Sequence, residues 1–156
     1  MADIVSERYA QSLYEVAKDE KQEKEYLEEL TAVCGAFREN PDFLKLLTTP
    51  SIAFEDKQNV LKTVFEGKIR PFMLNFLMLT TEKGRIGLIH EMREAYKEQY
   101  YFENNIAEVC AVTAVPMSDA LRDRLKNKMQ AVTGRQVVLE TSVDPEIIGG
   151  IVVKVN

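Results

Sequence analysis

The sequence contains one histidine, two cysteines and no long apolar run, and each shortage argues against a class of protein. A transmembrane helix needs about 20 consecutive apolar residues, and no stretch of this chain approaches that length. The N-terminus Met1-Ala2-Asp3 is acidic, whereas signal and transit peptides begin with basic residues. Cys34 and Cys110 lie in apolar patterns, which favours buried, reduced thiols over a disulfide or a metal site. These features predict a protein of a reducing compartment, most simply the cytoplasm.

Concentrated basic surface is also scarce. The net charge of -5 lies in residues 1–105, because residues 106–156 carry equal numbers of acidic and basic side chains. The one locally basic segment runs from Arg122 to Lys128, and its cations border an apolar stripe on both sides. No aromatic residue is interleaved with them as a platform for bases. We therefore expect no nucleic-acid binding.

Catalytic groups are equally few. His90 is the only histidine, and it lies between Ile89 and Glu91 with no nucleophile at helical spacing. The pair Gly149-Gly150 lacks the spacing of phosphate-binding loops, and the chain has neither a Cys/His cluster nor an EF-hand pattern. We expect no catalytic residue, no cofactor, no metal and no small-molecule substrate.

Two kinds of periodicity fill the chain. Apolar residues recur at helical spacing in six segments before residue 105. After it come the β-branched run Ile106 to Val115, typical of a strand buried on both faces, a helix from Ser118 to Thr133, and strands Gln136 to Val143 and Ile148 to Val155. The sequence therefore predicts a mainly α protein. An N-terminal six-helix bundle over residues 1–105 is followed by a small α+β domain of three strands and one helix over 106–156.

The segment Pro71 to Thr81 has apolar residues on two opposite faces of its predicted helix. One face carries Met73, Leu74, Leu77 and Met78; the other carries Phe72, Phe76 and Leu79, with Asn75 among them. A surface helix of a small domain needs one apolar stripe. The segment is therefore either surrounded by its own domain or covered by a partner on one face, and periodicity alone leaves both faces open as the outward one.

The first helix, residues 4–19, also has more apolar surface than one stripe requires. Its arc divides into two halves. The first contains Ala10, Leu13, Tyr14 and Ala17; the second contains Val5, Tyr9 and Val16, with Ser12 between them. This is a second helix that could contact a partner.

Four stretches, in order along nearly the whole chain, carry a resemblance to a known family. They are Arg8-Tyr9-Ala10 with Leu13-Tyr14-Glu15-Val16-Ala17, Asn75-Phe76-Leu77, Glu82-Lys83-Gly84-Arg85, and Asp144-Pro145 leading into Ile148-Gly149-Gly150-Ile151-Val152. With these stretches the chain resembles the delta subunit of bacterial F-type ATP synthases, called the oligomycin-sensitivity-conferring protein in mitochondria. The resemblance implies a non-catalytic stator subunit that links the catalytic head to the peripheral stalk, so that proton-driven rotation is coupled to ATP synthesis.

The resemblance also implies partners and a site. The helical domain would bind the N-terminal helix of an alpha subunit in a groove between its first and fifth helices, and the small domain would face b-type stalk subunits. The groove residues would be Val5, Tyr9, Ser12 and Val16 with Phe72, Asn75, Phe76 and Leu79. Membrane association would be indirect, through the complex, on the cytoplasmic side of the bacterial membrane. Family members usually continue past the Ile151-Val152 strand, whereas this sequence ends at Asn156.

Asn75 has two interpretations, as a polar group that sets the register of a bound helix or as a hydrogen-bonded amide in the core. The alternative function is a generic helical scaffold that binds another amphipathic helix.

Overall fold

The computed structural model of the chain describes residues 3–156. Met1 and Ala2, which enter the expectation that no signal peptide is present, lie outside the described residues. The chain divides into two compact units, Met1–Tyr100 and Tyr101–Asn156. The boundary predicted from the sequence lies slightly later, after residue 105.

The structure is mainly helical with a small three-stranded sheet, as the sequence predicts. Before residue 104 the helices are α1 Ile4–Asp19, α2 Glu23–Glu39, α3 Pro41–Thr48, α4 Phe54–Phe65, α5 Pro71–Glu82 and α6 Ile89–Glu103. A 3₁₀ turn, Ile86–Leu88, precedes α6. None of the helices within residues 3–156 combines the length and the hydropathy that a membrane-spanning helix requires.

The core of the first unit is built from aliphatic and aromatic side chains of all six helices and the 3₁₀ turn. Tyr26 and Tyr96 are among its largest fully buried side chains. The Tyr96 hydroxyl donates a 2.7 Å hydrogen bond to the Glu23 carbonyl, and its ring meets Tyr14 edge-on at 5.3 Å between centroids. Burying a tyrosine in this way is favourable because the hydroxyl keeps a partner.

The two cysteines have different surroundings, and neither forms a disulfide within the described residues. Cys34 is buried, its thiol lies 3.7 Å from the Ile89 carbonyl, and burial raises its pKa to about 11. Cys110 is only partly buried, so the prediction of two buried thiols is right for Cys34 alone.

The second unit is a β-α-β crossover with one added strand. Its elements are β1 Ile106–Thr113, α7 Asp119–Thr133, β2 Gln136–Val143 and β3 Ile151–Val155. β1 lies in the centre, parallel to β2 and antiparallel to β3. Ser118 caps α7 by accepting a hydrogen bond from the Leu121 N–H, and Gly134 ends it in the left-handed conformation.

Two predictions about these strands need correction. β1 has one buried face and one half-buried face in strict alternation, rather than two buried faces. The small core of the second unit contains Ala107, Val109 and Val137, and Met129 of α7 packs against them. The last strand begins at Ile151 and not at Ile148, because Gly149 and Gly150 both have positive φ and form a turn before it.

Leu77 and Leu79 provide a matched test of how α5 is packed. Leu77 is 0% exposed and Leu79 is 45% exposed on the same helix. We expect Leu77→Ala to lower the free energy of unfolding by about 2–5 kcal/mol, because it removes a buried side chain and leaves a cavity. Leu79→Ala should cost less than about 1 kcal/mol. Urea denaturation followed by circular dichroism measures both, and equal losses would contradict the described orientation of α5.

Candidate functional site

The two faces of α5 differ in burial. Met73 and Leu77 are fully buried, Leu74 is buried, and Met78 is half-buried. Phe72 is 40% exposed and Leu79 is 45% exposed. The face that carries Met73 and Leu77 therefore points into the core, and the face that carries Phe72 and Leu79 points outward.

The second half of the α1 arc lies at the surface beside this outward face of α5. Val5, Tyr9 and Val16 are half-buried, and Ser12 is exposed. The Ser12 hydroxyl donates a 3.1 Å hydrogen bond to the Arg8 carbonyl one turn earlier, so it is satisfied within its own helix. The opposite half of α1, with Ala10, Leu13, Tyr14 and Ala17, is buried.

A cavity of about 300 Å³ lies between the two helices. Its lining residues are Tyr9, Ser12, Leu13 and Val16 of α1 with Phe72, Asn75, Phe76 and Leu79 of α5. We call it the α1–α5 groove. Its walls are apolar except for the Ser12 hydroxyl, the Asn75 amide and the Tyr9 hydroxyl, a composition typical of sites that bind an apolar surface.

The structure brings together all but one of the residues that the resemblance assigns to the groove. Val5 is the exception, since it lies one turn before Tyr9 and does not line the cavity. Leu13 was missed because its helical spacing groups it with Ala10, Tyr14 and Ala17 in the core half of α1, and it is indeed only 1% exposed. Its position on the border between the two halves of the arc is the signal that could have identified it as the floor of the groove.

An aromatic pair joins the two helices at the groove. The rings of Tyr9 and Phe76 meet edge-on, with 6.3 Å between centroids and 73° between planes. Phe76 is nearly buried, while Tyr9 keeps part of its ring and its hydroxyl at the surface. Edge-to-face pairs stabilise contacts beyond their area by about 0.5–1.5 kcal/mol, so this pair helps to fix the spacing of the groove walls.

The C-terminal end of α5 forms a Schellman motif. Gly84 has φ of 72°, its N–H donates to the Thr81 carbonyl at 3.0 Å, and the Arg85 N–H donates to the Thr80 carbonyl at 2.7 Å. The Arg85 guanidinium then lies over the Tyr9 ring, 5.5 Å from its centroid, with Nη1 3.4 Å from the Tyr9 hydroxyl. The cap thus directs a cation to the Tyr9 end of the groove.

A second cavity, of about 340 Å³, lies on the other side of α5 against α4. Its lining includes Lys62 and Glu66 as well as Leu74 and Met78, so its walls are more charged than those of the α1–α5 groove. Asn75 lines both cavities and is exposed. The interpretation of Asn75 as a core amide is therefore wrong.

His90 has surroundings that suit a structural residue. It is half-buried on α6, and its Nδ1 atom is buried with no hydrogen-bond partner among the described residues. Burial lowers its pKa below the ordinary value of 6.5, and the nearby guanidinium groups of Arg38 and Arg93 lower it further.

One group of possible metal ligands occurs within residues 3–156. The ligand atoms of Glu108, Cys110 and Glu140 all lie within 4.8 Å of one another, because Cys110 and Glu140 are register partners on β1 and β2. Sequence spacing could not reveal this group, since its members come from two strands. Exposed carboxylates are common in proteins that bind no metal, so the cluster alone assigns no site.

Comparison with known proteins gives consistent matches over nearly the whole chain. A family model described as ATP synthase delta (OSCP) subunit matches residues 5–156. ATP synthase subunit delta of Clostridium kluyveri is 32% identical over 156 residues, which is 100% of this chain and 86% of that protein. The corresponding protein of Alkaliphilus metalliredigens is 34% identical, covering 100% of this chain and 87% of the relative. That of Solidesulfovibrio magneticus is 36% identical over 158 residues, covering 99% and 86%.

A solved structure matches the fold. It is a chain of the Toxoplasma gondii mitochondrial ATP synthase hexamer determined by cryo-EM, with a TM-score of 0.74 and 22% identity. The match covers 96% of this chain and 85% of that one.

The single histidine allows an unambiguous titration. We expect the imidazole resonances of His90 to titrate with a midpoint below 6.5, because burial and two nearby guanidinium groups disfavour the charged ring. The neutral ring therefore contributes stability that is present above the unfolded-state pKa of about 6.5 and is lost as pH falls through the lower folded-state pKa. Two-dimensional NMR measures the midpoint, and the variant His90→Gln should lack this part of the pH dependence of stability. A midpoint above 6.5 would contradict the described environment.

Proposed function

Because the chain belongs to the ATP synthase delta (OSCP) subunit family, we propose that its α1–α5 groove binds the amphipathic N-terminal helix of an alpha subunit. The protein is a non-catalytic stator component of ATP synthase. In this proposal it holds the catalytic head to the peripheral stalk, so that proton-driven rotation is coupled to ATP synthesis.

The observation that carries the proposal is the uncovered apolar groove between α1 and α5. Phe72 and Leu79 expose close to half of their surface beside Tyr9 and Val16, and the floor is made of buried Leu13 and Phe76. An amphipathic helix that lays its apolar stripe into such a groove would cover these side chains. Each large apolar group that becomes fully buried contributes roughly 1.5–3 kcal/mol, so three or four could offset the cost of association.

The remaining parts of the chain fit the same role. In this proposal α1 to α6 act as one six-helix bundle that binds the head, and residues 106–156 form the domain that faces b-type stalk subunits. Residues 106–156 expose apolar side chains on the link after β1, on α7, on β2 and β3 and on the turn before β3, as a protein contact would require. These are Val115, Leu121, Val132, Val143, Ile148, Ile151, Val152, Val153 and Val155. In this arrangement the protein associates with the membrane indirectly, through the complex, on the cytoplasmic side of the bacterial membrane.

A charge placed in the groove tests the proposal. We expect Leu79→Asp to weaken binding of a synthetic peptide with the sequence of the cognate alpha-subunit N-terminus by at least about tenfold, because it removes an apolar contact and buries a carboxylate. The matched control is Ile4→Asp, which places the same charge at a 67% exposed aliphatic position of α1 outside the groove. Calorimetric titration measures both affinities. If the Leu79→Asp variant binds the peptide as tightly as the wild-type protein does, the groove is excluded as the binding site. Absence of wild-type binding would favour a scaffold for a different helix.

Limited proteolysis tests the proposed division into two functional domains. The segment Asn104–Asn105 lies between the end of α6 and the start of β1, is exposed, and contains a left-handed residue with φ of 55°. We expect the first cut there, because an exposed irregular link is a preferred site of cleavage. Mass spectrometry identifies the fragments. The N-terminal fragment should keep its helical circular dichroism spectrum, and an unfolded fragment would contradict two independent domains.

A further inference from the structure

Two arginines lie at opposite ends of α5, and their guanidinium groups have different partners. Arg70 precedes the helix and is fully engaged within the first unit. It forms an ion pair with Glu29, donates from Nε to the Gln22 side chain at 2.9 Å, and lies 5.3 Å from the centroid of the Tyr26 ring. Its charge is therefore neutralised by the protein itself.

Arg85 follows the helix, and its guanidinium lies against Tyr9. Its backbone is fixed by the Schellman motif, and its guanidinium lies over the Tyr9 ring at the end of the α1–α5 groove. Within the part of the chain that the structure describes, Arg85 forms no ion pair with a carboxylate. A guanidinium has five N–H donors in a planar fork, and the Tyr9 hydroxyl occupies one of them. The others are free to meet a bound molecule.

We propose that Arg85 sets the direction of the helix in the groove by pairing with an acidic side chain at the end of that helix that lies beside Tyr9. This inference rests on the proposed function of the groove and adds to it a charge requirement on the bound helix. A carboxylate is the group that the guanidinium fork binds best, through two parallel hydrogen bonds. Stacking on Tyr9 holds the fork in place before binding, so little side-chain freedom is lost when the pair forms.

The opposite end of the groove disfavours the reversed orientation. Val16 lies roughly 10 Å from Tyr9 along α1, at 1.5 Å per residue. Around it the exposed charged residues of α1 are Glu15, Lys18 and Asp19, which together carry a net negative charge, while Arg70 is held by Glu29. A reversed helix would bring its acidic end to these carboxylates and lose Arg85. Repulsion between the acidic end of the reversed helix and these carboxylates would disfavour that orientation, with a smaller effect on the overall affinity.

A charge-reversal cycle tests the proposal with the alpha-subunit N-terminal peptide as the probe. At low salt we expect Arg85→Gln to weaken binding by about two- to fivefold and Arg85→Glu by about tenfold. A second peptide has lysine in place of the acidic residue. Compared with the unmodified peptide, it should bind the wild-type protein more weakly and the Arg85→Glu variant more tightly. The matched control is Lys62→Glu, the same charge reversal on the other side of α5 beside the second cavity, which should change binding by less than about twofold.

A spin label attached to either end of the peptide reports the direction itself. The label at the acidic end should broaden the amide resonance of Tyr9 more than that of Val16, and the label at the other end should do the reverse. Arg85→Gln should reduce this difference, while circular dichroism checks that the variant is folded.

The outcomes separate this inference from the proposed function. If the peptide binds wild-type protein but Arg85→Glu behaves like Lys62→Glu, or if both labels broaden Tyr9 and Val16 equally, the groove binds a helix and Arg85 does not orient it. If Lys62→Glu weakens binding and Arg85→Glu does not, the helix occupies the second cavity. If wild-type protein does not bind the peptide, the proposed function and this inference both fail.

Discussion

Helix α5 has more apolar surface than its own unit covers, and this constraint determines the candidate site. Its inner face must be buried for the first unit to fold, because Met73 and Leu77 are fully enclosed by the core. Its outer face is equally apolar, yet Phe72 and Leu79 remain close to half exposed. A monomer that leaves such side chains in water forgoes roughly 25 cal/mol for each Å² of exposed apolar area. Binding a second apolar surface recovers part of that free energy.

The groove depends on α1 as much as on α5. The buried half of α1 fixes the helix against the core through Ala10 and Tyr14, and its other half forms the facing wall. The edge-on contact of Tyr9 with Phe76 links the two walls, and the same Tyr9 ring supports the Arg85 guanidinium. One aromatic side chain therefore belongs both to the packing of the unit and to the chemistry at the end of the groove, where the apolar and charged parts of the site meet.

Much of this arrangement could be predicted from the sequence, because helical periodicity reports burial directly. The two opposed faces of Pro71 to Thr81 and the divided arc of α1 follow from spacing alone, although the choice of the outward face required the resemblance. Features that depend on tertiary context escaped: the part of Leu13 in lining the groove, the 3₁₀ turn before α6, and the proximity of Cys110 to Glu140 across two strands. That the groove residues bind a partner stays a prediction, since binding depends on the sequence of a second chain as well as on this one.

The cap after α5 has a consequence for how this subunit can change over evolution. The course of the chain at position 85 is set by main-chain hydrogen bonds to Thr80 and Thr81 and by the left-handed glycine before it, none of which involves the side chain at 85. Any residue with a free amide hydrogen can occupy that position without disturbing the helix. A change in one codon could therefore make the Tyr9 end of the α1–α5 groove neutral or anionic instead of cationic. The subunit and its binding partner could then exchange complementary charges while the backbone of the subunit stays the same.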